Sequence, residues 1–444
     1  MLLTGERRVA AQARTEDDPA AGAQATPTVI LLGGRSLREF TVLHQLGARI
    51  VFLDAEVPLH AIPWVDLPVQ ADLSEPETVL ALVQQICGGQ APAAVLTHTE
   101  PRIPLMAYLA ERLGLAGGGL TRDAALNCHD KSRTRALLKA AGVPGPEACL
   151  ADDAQEAADR AASLGYPVVV KPRNRAGGSG VRLCGNAAQV RDAASRILAE
   201  PAGTGLPGVV VEQYVSGPEY AVQTITIDGA TEVLSVFSQQ VTCPPTFVEL
   251  GYDYPADLTP AQHAELASVV TKALGALGLT NWISHTQVKA SADGFRVIEV
   301  NARRPGGRLA EMTDAVCGID MVRAASELAL GWPVSRAEPT AGYAAYRSIV
   351  TDRPGTLLYN SRLELDALTS PIPPIIEVDV PSGDPVLPVD HPGGGVYGRI
   401  VVFGDSAGQL ARELQVINDA LSLEVVAIQP VDLTADVREF KPCC

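Results

Sequence analysis

The sequence predicts an α/β protein of several domains, and three observations support that prediction. Near the amino terminus, an apolar strand, a helical stretch and a second strand follow one another, which is typical of a βαβ unit. In the middle of the chain, several alternating strands flank a long helical stretch. Near the end, residues 396–403 and 407–421 predict one strand and one helix of a small closing domain. The length of 444 residues suits about two to four domains.

The individual elements are predicted from their apolar period and from the turn residues around them. Thr121 caps one helix, and Gly142 with Pro144 ends the helix that follows. The Pro- and Thr-rich segment 242–255 is predicted to be a loop. The predicted strands are 29–32, 49–53, 93–97, 168–172, 209–213, 220–227, 232–239, 282–290, 295–301 and 396–403. The predicted helices are 37–46, 76–86, 134–141, 153–164, 187–198, 259–277 and 407–421.

The composition is that of an ordinary globular enzyme, with 47% hydrophobic and 19% charged residues. A net charge of −16 argues against a broad nucleic-acid or anionic-membrane surface, so an anionic ligand would need a local basic pocket. No apolar run approaches the ~18 residues of a membrane span, and the scattered cysteines suit reduced thiols. We therefore expect a cytoplasmic protein without nucleic-acid or membrane partners.

The most informative segment is VVVKPRNRAGGSGV, at residues 168–181. Three consecutive valines predict a buried strand that ends at Lys171. The loop behind it consists of Gly177, Gly178, Ser179 and Gly180. Such a loop can place several backbone N–H groups against an anion. Taken alone, the pattern fits a phosphate site of a nucleotide and a solvated hairpin turn about equally well.

A second informative cluster, IEVNARRPGG, begins at residue 298. Side chains alternate along a strand, so Glu299 and Asn301 face the same way and Arg303 continues that line. A carboxylate and an amide oxygen are hard ligands that suit Mg²⁺, and an arginine beyond them can hold a carboxylate or a developing oxyanion. The alternative is a polar edge strand, but the apolar Val297 and Val300 favour a buried one, where unpaired charge would be costly.

Five motifs in this order resemble the ATP-grasp superfamily: Asp130-Lys131, VVVKP with GGSG, VVEQYVSGPEY, HTQVKA and IEVNARRPGG. Within it, the chain is similar to carboxylate–amine ligases that share ancestry with biotin carboxylase, notably the L-amino-acid ligases that make dipeptides. The resemblance covers residues 30–331. Residues 1–26 lack a sustained apolar period and are predicted to be a mobile tail. The resemblance implies a pre-ATP-grasp domain at 27–120 and a two-lobed ATP-grasp domain at 121–332 with a lid subdomain at about 134–211, and the small α+β closing domain at 333–444 matches it in outline only.

The resemblance also implies roles for the matching residues. Lys131 and Lys171 would hold the ATP phosphates, and the loop 177–180 would fold over them as a lid. Glu299 and Asn301 would bind one or two Mg²⁺ ions. Arg303 would act with Lys171 in catalysis, by steadying the substrate carboxylate and the tetrahedral intermediate. The hinge that reads the adenine edge, mainly through backbone groups, would consist of Glu212, Gln213 and Val215. The carboxylate of Glu219 would accept hydrogen bonds from the ribose hydroxyls.

One position departs from the family pattern. Gln287 stands where such enzymes usually place an acidic metal ligand, on the strand before IEVN. A neutral amide can coordinate Mg²⁺ through its oxygen, but it lowers the charge of the site. Either Glu299 carries most of the metal binding, or another acid such as Glu311 or Glu249 contributes.

The reaction implied by the resemblance joins an amino-acid or related carboxylate to an amine at the expense of ATP, through an acyl phosphate. Both substrates would be small molecules, and the protein would be a homodimer. The candidate residues of the substrate pocket are Glu100, His285, Arg304 and Arg308. Two alternatives stay open: a bicarbonate-activating enzyme of the biotin-carboxylase or purine type, and a catalytically weak nucleotide-binding protein.

Overall fold

A computed structural model describes residues 26–427, apart from 35, 116–118, 176, 201–204, 244 and 392–393. The predicted tail, except for residue 26, therefore lies outside the described residues. Two short 3-10 helices lie at Leu59–Trp64 and Glu100–Arg102. Across the described ranges, no helix is both long and apolar enough to span a membrane.

The described strands and helices follow in chain order. The strands are β1 (Thr28–Leu32), β2 (Arg49–Asp54), β3 (Leu67–Gln70), β4 (Ala94–Leu96), β5 (Ala148–Ala151), β6 (Val168–Pro172), β7 (Arg182–Cys184), β8 (Val209–Gln213), β9 (Glu219–Ile227), β10 (Ala230–Val241), β11 (Glu249–Tyr254), β12 (Trp282–Ser291), β13 (Gly294–Asn301), β14 (Tyr343–Ile349), β15 (Gly355–Leu358), β16 (Ile375–Val378), β17 (Pro385–Val386), β18 (Gly398–Gly404) and β19 (Glu424–Val426). The helices are α1 (Leu37–Gln45), α2 (Pro76–Ile86), α3 (Ile103–Arg112), α4 (Arg122–His129), α5 (Lys131–Ala140), α6 (Ala154–Leu164), α7 (Ala187–Ala199), α8 (Pro260–Leu277), α9 (Leu309–Cys317), α10 (Met321–Ala329) and α11 (Ala407–Leu421).

The amino-terminal part is a parallel sheet in the order β3-β2-β1-β4, as the βαβ pattern predicts. Residues 29–32 of the central strand β1 are almost completely buried, which explains their continuous apolar run. Strands β1 and β4 pair in parallel, so the residues after both strands meet at one edge of the sheet. Thr97 closes this edge by donating its hydroxyl hydrogen bond to the carbonyl oxygen of Leu32 at 2.6 Å.

The segment predicted to be the lid subdomain, called the lid below, forms an antiparallel sheet in the order β5-β8-β6-β7, with α6 and α7 packed on it. Its strands run from Ala148 to Gln213, so the sheet begins later than the predicted bound near 134. The helix α5, which the prediction placed in the lid, packs against α8 of the central part. Alternate residues of β6 and β8 face the two helices, among them Val170 and Val211, and the residues between them face the opposite way.

The central sheet has eight strands in the order β13-β12-β9-β10-β11-β14-β18-β16. It continues from the ATP-grasp part into the carboxyl-terminal part, because β11 pairs with β14 across the predicted boundary at 332. Strand β11 lies inside the segment that the sequence predicts to be a loop. Its six residues have no clear apolar alternation, and tertiary pairing with β10 and β14 makes it a strand.

Two separate hydrophobic cores position the site. One large core contains Leu31 and Leu96 of the parallel sheet together with Trp282 of the central sheet and Ala325 of α10. Helix α10 packs against both β4 and β12, so it joins these two sheets. The lid has its own core, formed by alanine and valine side chains for the most part. The amino-terminal and central parts therefore pack as one body, and the lid packs as another.

Candidate active site

The two predicted phosphate lysines and the predicted metal carboxylate lie together. Asp130 caps α5 by accepting from the backbone N–H groups of Ser132 and Arg133, and this places Lys131 in the first turn. The Lys131 Nζ lies 2.9 Å from the Glu299 Oε1, and it also donates to the carbonyl oxygen of Arg175 at 2.9 Å. The structure therefore brings α5 and β13 together at one ion pair.

Lys171 points from β6 towards the same region and is bound by a residue of the neighbouring strand. Its Nζ lies 2.7 Å from the Glu212 Oε2, and both side chains are almost completely buried. Burial lowers the pKa of Lys171, and the nearby Glu212 acts in the opposite direction. Burial would raise the pKa of Glu212, but Arg135 and Lys171 bring that pKa below its usual value. The Glu212 side chain thus forms an ion pair with Lys171. The predicted contact of this segment with the adenine edge would use its backbone groups, and it stays a prediction.

The predicted metal ligands share one face of the paired strands β12 and β13. Gln287 lies directly opposite Glu299, and His285 lies opposite Asn301. Burial would raise the pKa of Glu299, but Lys131 and Lys171 lower it to about 2, so the carboxylate is ionised at neutral pH. Within the described residues, no group of three or more His, Cys, Asp or Glu side chains is arranged to hold a metal. One carboxylate with two amide oxygens fits an Mg²⁺ that also takes ligands from phosphates and water.

The two further acids that the sequence suggests as metal ligands have different surroundings. Desolvation raises the pKa of Glu249, a hydrogen bond with Tyr252 and the charge of Arg303 lower it, and the charge of Glu299 raises it, so Glu249 lies within electrostatic range of the site. Glu311, at the start of α9, accepts from Arg308 at 2.6 Å. Of these two acids, Glu249 is thus the one with an electrostatic link to Glu299, and its role as a ligand stays a prediction.

Three arginines after β13 each bind a carboxylate from another part of the chain. Arg303 forms an ion pair with Glu100 at the carboxyl end of β4, and the two side chains are only 14% and 12% exposed. The Arg304 Nη2 lies 2.6 Å from the Glu39 Oε1 on α1. The third arginine binds the carboxyl-terminal part, because Arg308 donates to Glu377 on β16. The predicted substrate residue Glu100 is therefore in direct contact with the predicted catalytic Arg303, whereas Arg304 and Arg308 have other partners.

Two buried histidines lie beside these arginines. The His285 Nδ1 is 3.1 Å from the Gln223 Oε1, and burial together with Arg303 lowers the pKa of His285 to about 3. Burial and the charges of Arg304 and Arg303 also lower the pKa of His98 to about 3. Both imidazoles are therefore neutral at physiological pH.

The predicted ribose acid, Glu219, belongs to a cluster that the sequence reasoning missed. The Lys289 Nζ lies 3.4 Å from the Glu219 Oε2. The same ammonium group lies 5.4 Å from the ring centre of Tyr214 and 5.6 Å from that of Phe247. The sequence signals are the lysine of HTQVKA and the tyrosine of VVEQYVSGPEY, whereas Phe247 comes from the predicted loop. In the predicted hinge, Val215 is buried and Gln213 is exposed. The contact of these two residues with adenine stays a prediction.

The glycine loop adopts the backbone that only glycine tolerates well. Gly177, Gly178 and Gly180 have φ angles of 68°, 70° and 77°. A Cβ on Gly180 would lie 3.0 Å from the Cγ of Pro172. The exposed loop therefore needs glycine for its conformation and, at Gly180, for space. Its role as a lid over the phosphates stays a prediction.

Comparison with known proteins agrees with this geometry. Residues 164–312 match a family model described as an ATP-grasp domain, and they include the glycine loop, the hinge and the strands β12 and β13. This segment of the chain is therefore similar to an ATP-grasp domain, and the predicted mixed α/β fold is confirmed.

Individual proteins are similar over parts of the chain. The uncharacterized protein y4rH of Sinorhizobium fredii is 32% identical over 263 residues, which are 59% of this chain and 54% of that protein. Carnosine synthase 1 of Gallus gallus is 28% identical over 288 residues, 61% of this chain and 30% of that protein. This chain thus spans about half or less of these curated relatives.

Among solved structures, an L-amino acid ligase from Bacillus licheniformis has a TM-score of 0.75 and 24% identity. The match covers 91% of this chain and all 100% of that chain. This likeness shows the fold.

Proposed function

We propose that this protein is an ATP-dependent ligase that joins an amino-acid or related carboxylate to an amine. One observation carries the proposal: the ammonium groups of Lys131 and Lys171 lie around the ionised Glu299, beside the predicted metal ligands. The names of two similar proteins, a carnosine synthase and an L-amino acid ligase, support amide formation. ATP and Mg²⁺ are the cofactors that this arrangement suits.

The chemistry follows from the weak electrophilicity of a carboxylate. A substrate carboxylate oxygen attacks the γ-phosphorus of ATP, and the bond to the leaving ADP oxygen breaks with its electron pair. The amine then attacks the carbonyl carbon of the acyl phosphate, loses a proton and expels phosphate. Lys131 and Lys171 neutralise the phosphate charges, and Arg303 holds first the carboxylate and then the oxyanion.

Glu299, Asn301 and Gln287 would hold the Mg²⁺, which neutralises phosphate charge when bound. The cation would compete with Lys131 for the Glu299 carboxylate, because these two groups form an ion pair at 2.9 Å. Release of Lys131 from Glu299 would leave its ammonium group free for phosphate. Metal binding at Glu299 would therefore be coupled to the position of Lys131, one of the two lysines predicted to bind phosphate.

An acyl phosphate must be kept away from water until the amine reacts. The glycine loop over β6 and the closing domain at Arg308 and Glu377 are the parts of the chain that can provide this shielding. A cytoplasmic homodimer that acts on small molecules stays a prediction.

The test is ATP turnover with pools of candidate substrates. The protein is incubated with ATP, Mg²⁺ and pairs of amino acids, phosphate release is measured, and the products are identified by mass spectrometry. An amide product with stoichiometric phosphate supports the proposal. Turnover that depends on bicarbonate instead would support a carboxylase-type reaction, and nucleotide binding without turnover in any pool would support a weak nucleotide-binding protein.

Two variants check the site assignment in the same assay. Lys171→Met is expected to abolish turnover, whereas Lys139→Met, which changes a lysine whose side chain is 73% exposed on α5, is expected to leave it unchanged. If both variants retain full amide-forming activity, the proposed site is wrong.

A further inference from the structure

Arg135 is a buried arginine of α5 that has no role in the chemistry described so far. Its side chain is only 8% exposed. The Arg135 Nε and Nη2 donate to the two carboxylate oxygens of Glu212 at 2.7 and 3.3 Å. The Nη1 donates to the carbonyl oxygen of Val297 at 2.8 Å, and the Nη2 also donates to that of Ile298. One guanidinium group thus connects the lid strand β8 to the strand β13.

The first consequence is electrostatic. Glu212 is shared between two cations, because the Lys171 Nζ lies 2.7 Å from its Oε2 while Arg135 binds both oxygens. The three side chains together carry one net positive charge. A pair of Glu212 and Lys171 without Arg135 would be neutral, and it would attract a phosphate much less strongly.

The second consequence is geometric. Within the described part of the chain, β13 is the last strand of the central sheet, so its outer backbone groups have no further strand as a partner there. Arg135 binds two of the carbonyl groups there, and the carbonyl oxygen of Pro144 accepts the N–H of Val297 at 2.9 Å. The carbonyl of Ile298 immediately precedes Glu299, so Arg135 ties the lid to the chain next to the predicted metal ligand.

We infer that Arg135 is a positioning residue for ATP: it shares Glu212 with Lys171, so that the three side chains keep one net positive charge for phosphate, and it fixes the lid strand on β13. The inference rests on the proposed function, because it assumes that Lys171 binds ATP phosphates. Arg135 itself touches neither the substrates nor the reacting atoms in this scheme.

A cavity beside Arg135 makes the inference open to a chemical test. It has a volume of about 520 Å³ and lies between α5 and the segment 142–150, with Arg135, Val210 and Arg296 among its lining residues. Lys139, whose side chain is 73% exposed, also lines it, so solvent reaches the cavity. A small cation from solution therefore has a route to the place of the Arg135 guanidinium group.

The experiment compares variants of Arg135 by steady-state kinetics and by calorimetric titration of ADP with Mg²⁺. Arg135→Met is expected to weaken ADP binding and raise the KM for ATP by about tenfold, with the KM of the other substrates changed less than about twofold. Arg135→Lys should restore part of the nucleotide affinity, because it restores the positive charge but not the two parallel hydrogen bonds of the guanidinium group to Glu212. Millimolar guanidinium should partly rescue Arg135→Ala, and it should not improve the wild type or Lys139→Ala.

The outcomes separate this inference from the proposed function. If Lys171→Met loses ADP binding and Arg135→Met binds normally, the inference is overturned and the function stands. If both variants bind ADP as the wild type does, Lys171 does not bind the phosphates, and the site assignment in the proposed function is wrong together with this inference. If Arg135→Met weakens all substrates equally and melts earlier, and guanidinium does not rescue Arg135→Ala, the role is merely structural and the inference is wrong.

Discussion

Arg303 and Glu100 form a nearly buried ion pair although 203 residues separate them in the chain. The guanidinium group follows β13 and the carboxylate follows β4, so the pair joins the central and amino-terminal parts at the proposed substrate pocket. A substrate with both a carboxylate and an ammonium group could bind each partner at once. A substrate with a carboxylate alone would have to compete with Glu100 for Arg303.

Substitution of these two residues should therefore have different effects. Arg303→Lys removes the fork that holds the oxyanion and should lower kcat by roughly 100-fold. Glu100→Gln should raise the KM of an amino-acid substrate by about tenfold, through the lost ammonium partner. The KM of the same acid without its amino group should fall or stay constant, as measured by phosphate release. Equal increases of both KM values would show that Glu100 only maintains the structure.

Gln287→Glu should tighten the dependence of turnover on Mg²⁺. The new carboxylate would lie directly opposite Glu299 and add charge to the donor set. Without metal, the two like charges should lower the melting temperature, and Mg²⁺ with nucleotide should reverse this loss. The reciprocal variant Glu299→Gln should raise the Mg²⁺ requirement. An unchanged Mg²⁺ titration for Gln287→Glu would mean that residue 287 is not a ligand.

Gly180→Ala and Gly177→Ala form a matched pair that tests the glycine loop. Both glycines have positive φ angles, so alanine costs about 1–2 kcal/mol at either position if the backbone is kept. Only the Cβ at Gly180 meets a neighbour, at 3.0 Å from Pro172, whereas the Cβ at Gly177 meets nothing within 4 Å. Gly180→Ala should therefore raise the KM for ATP and lower the melting temperature more than Gly177→Ala does. Identical effects would argue against the packing of Gly180.

The buried His98 should make the protein sensitive to mild acid. Its pKa of about 3 lies below the usual 6.5, so the unfolded chain binds a proton more readily than the folded protein. The stability is complete above pH 6.5 and falls as the pH drops from there towards 3, by about 1.4 kcal/mol per pH unit. His98→Gln should reduce this slope in urea unfolding between pH 6 and 4.5. His263→Gln, at an exposed position on α8, is the control and should not.

The sequence predicts the fold well where the signals are local. The strands β1, β6 and β8 are buried apolar runs followed by turn residues, and their predicted bounds agree with the structure within one or two residues. The five ordered motifs point to the ATP-grasp superfamily, and the similarity of residues 164–312 to an ATP-grasp domain agrees with them. Strand β11 was missed because its residues, 249–254, become a strand only through pairing with distant strands.

The site is predicted less completely, for a physical reason. The sequence identifies Lys131, Lys171 and Glu299, because their residue types and spacing match the expected chemistry. It does not identify Arg135, whose partner Glu212 is 77 residues away, or the contact of Lys289 with Phe247. Ion pairs and ring contacts between distant segments produce no periodic pattern of residues in the sequence, so they cannot be predicted from it.

The separate core of the lid has a consequence for local unfolding. The buried residues of this core are chiefly alanine and valine, which bury little apolar area each. The lid can therefore open as a cooperative unit at a smaller free-energy cost than global unfolding. The amide protons of β6 and β8 should exchange with solvent together and earlier than those of β1. A bound nucleotide would slow that exchange, so hydrogen exchange in the lid would detect nucleotide binding before the amide bond forms.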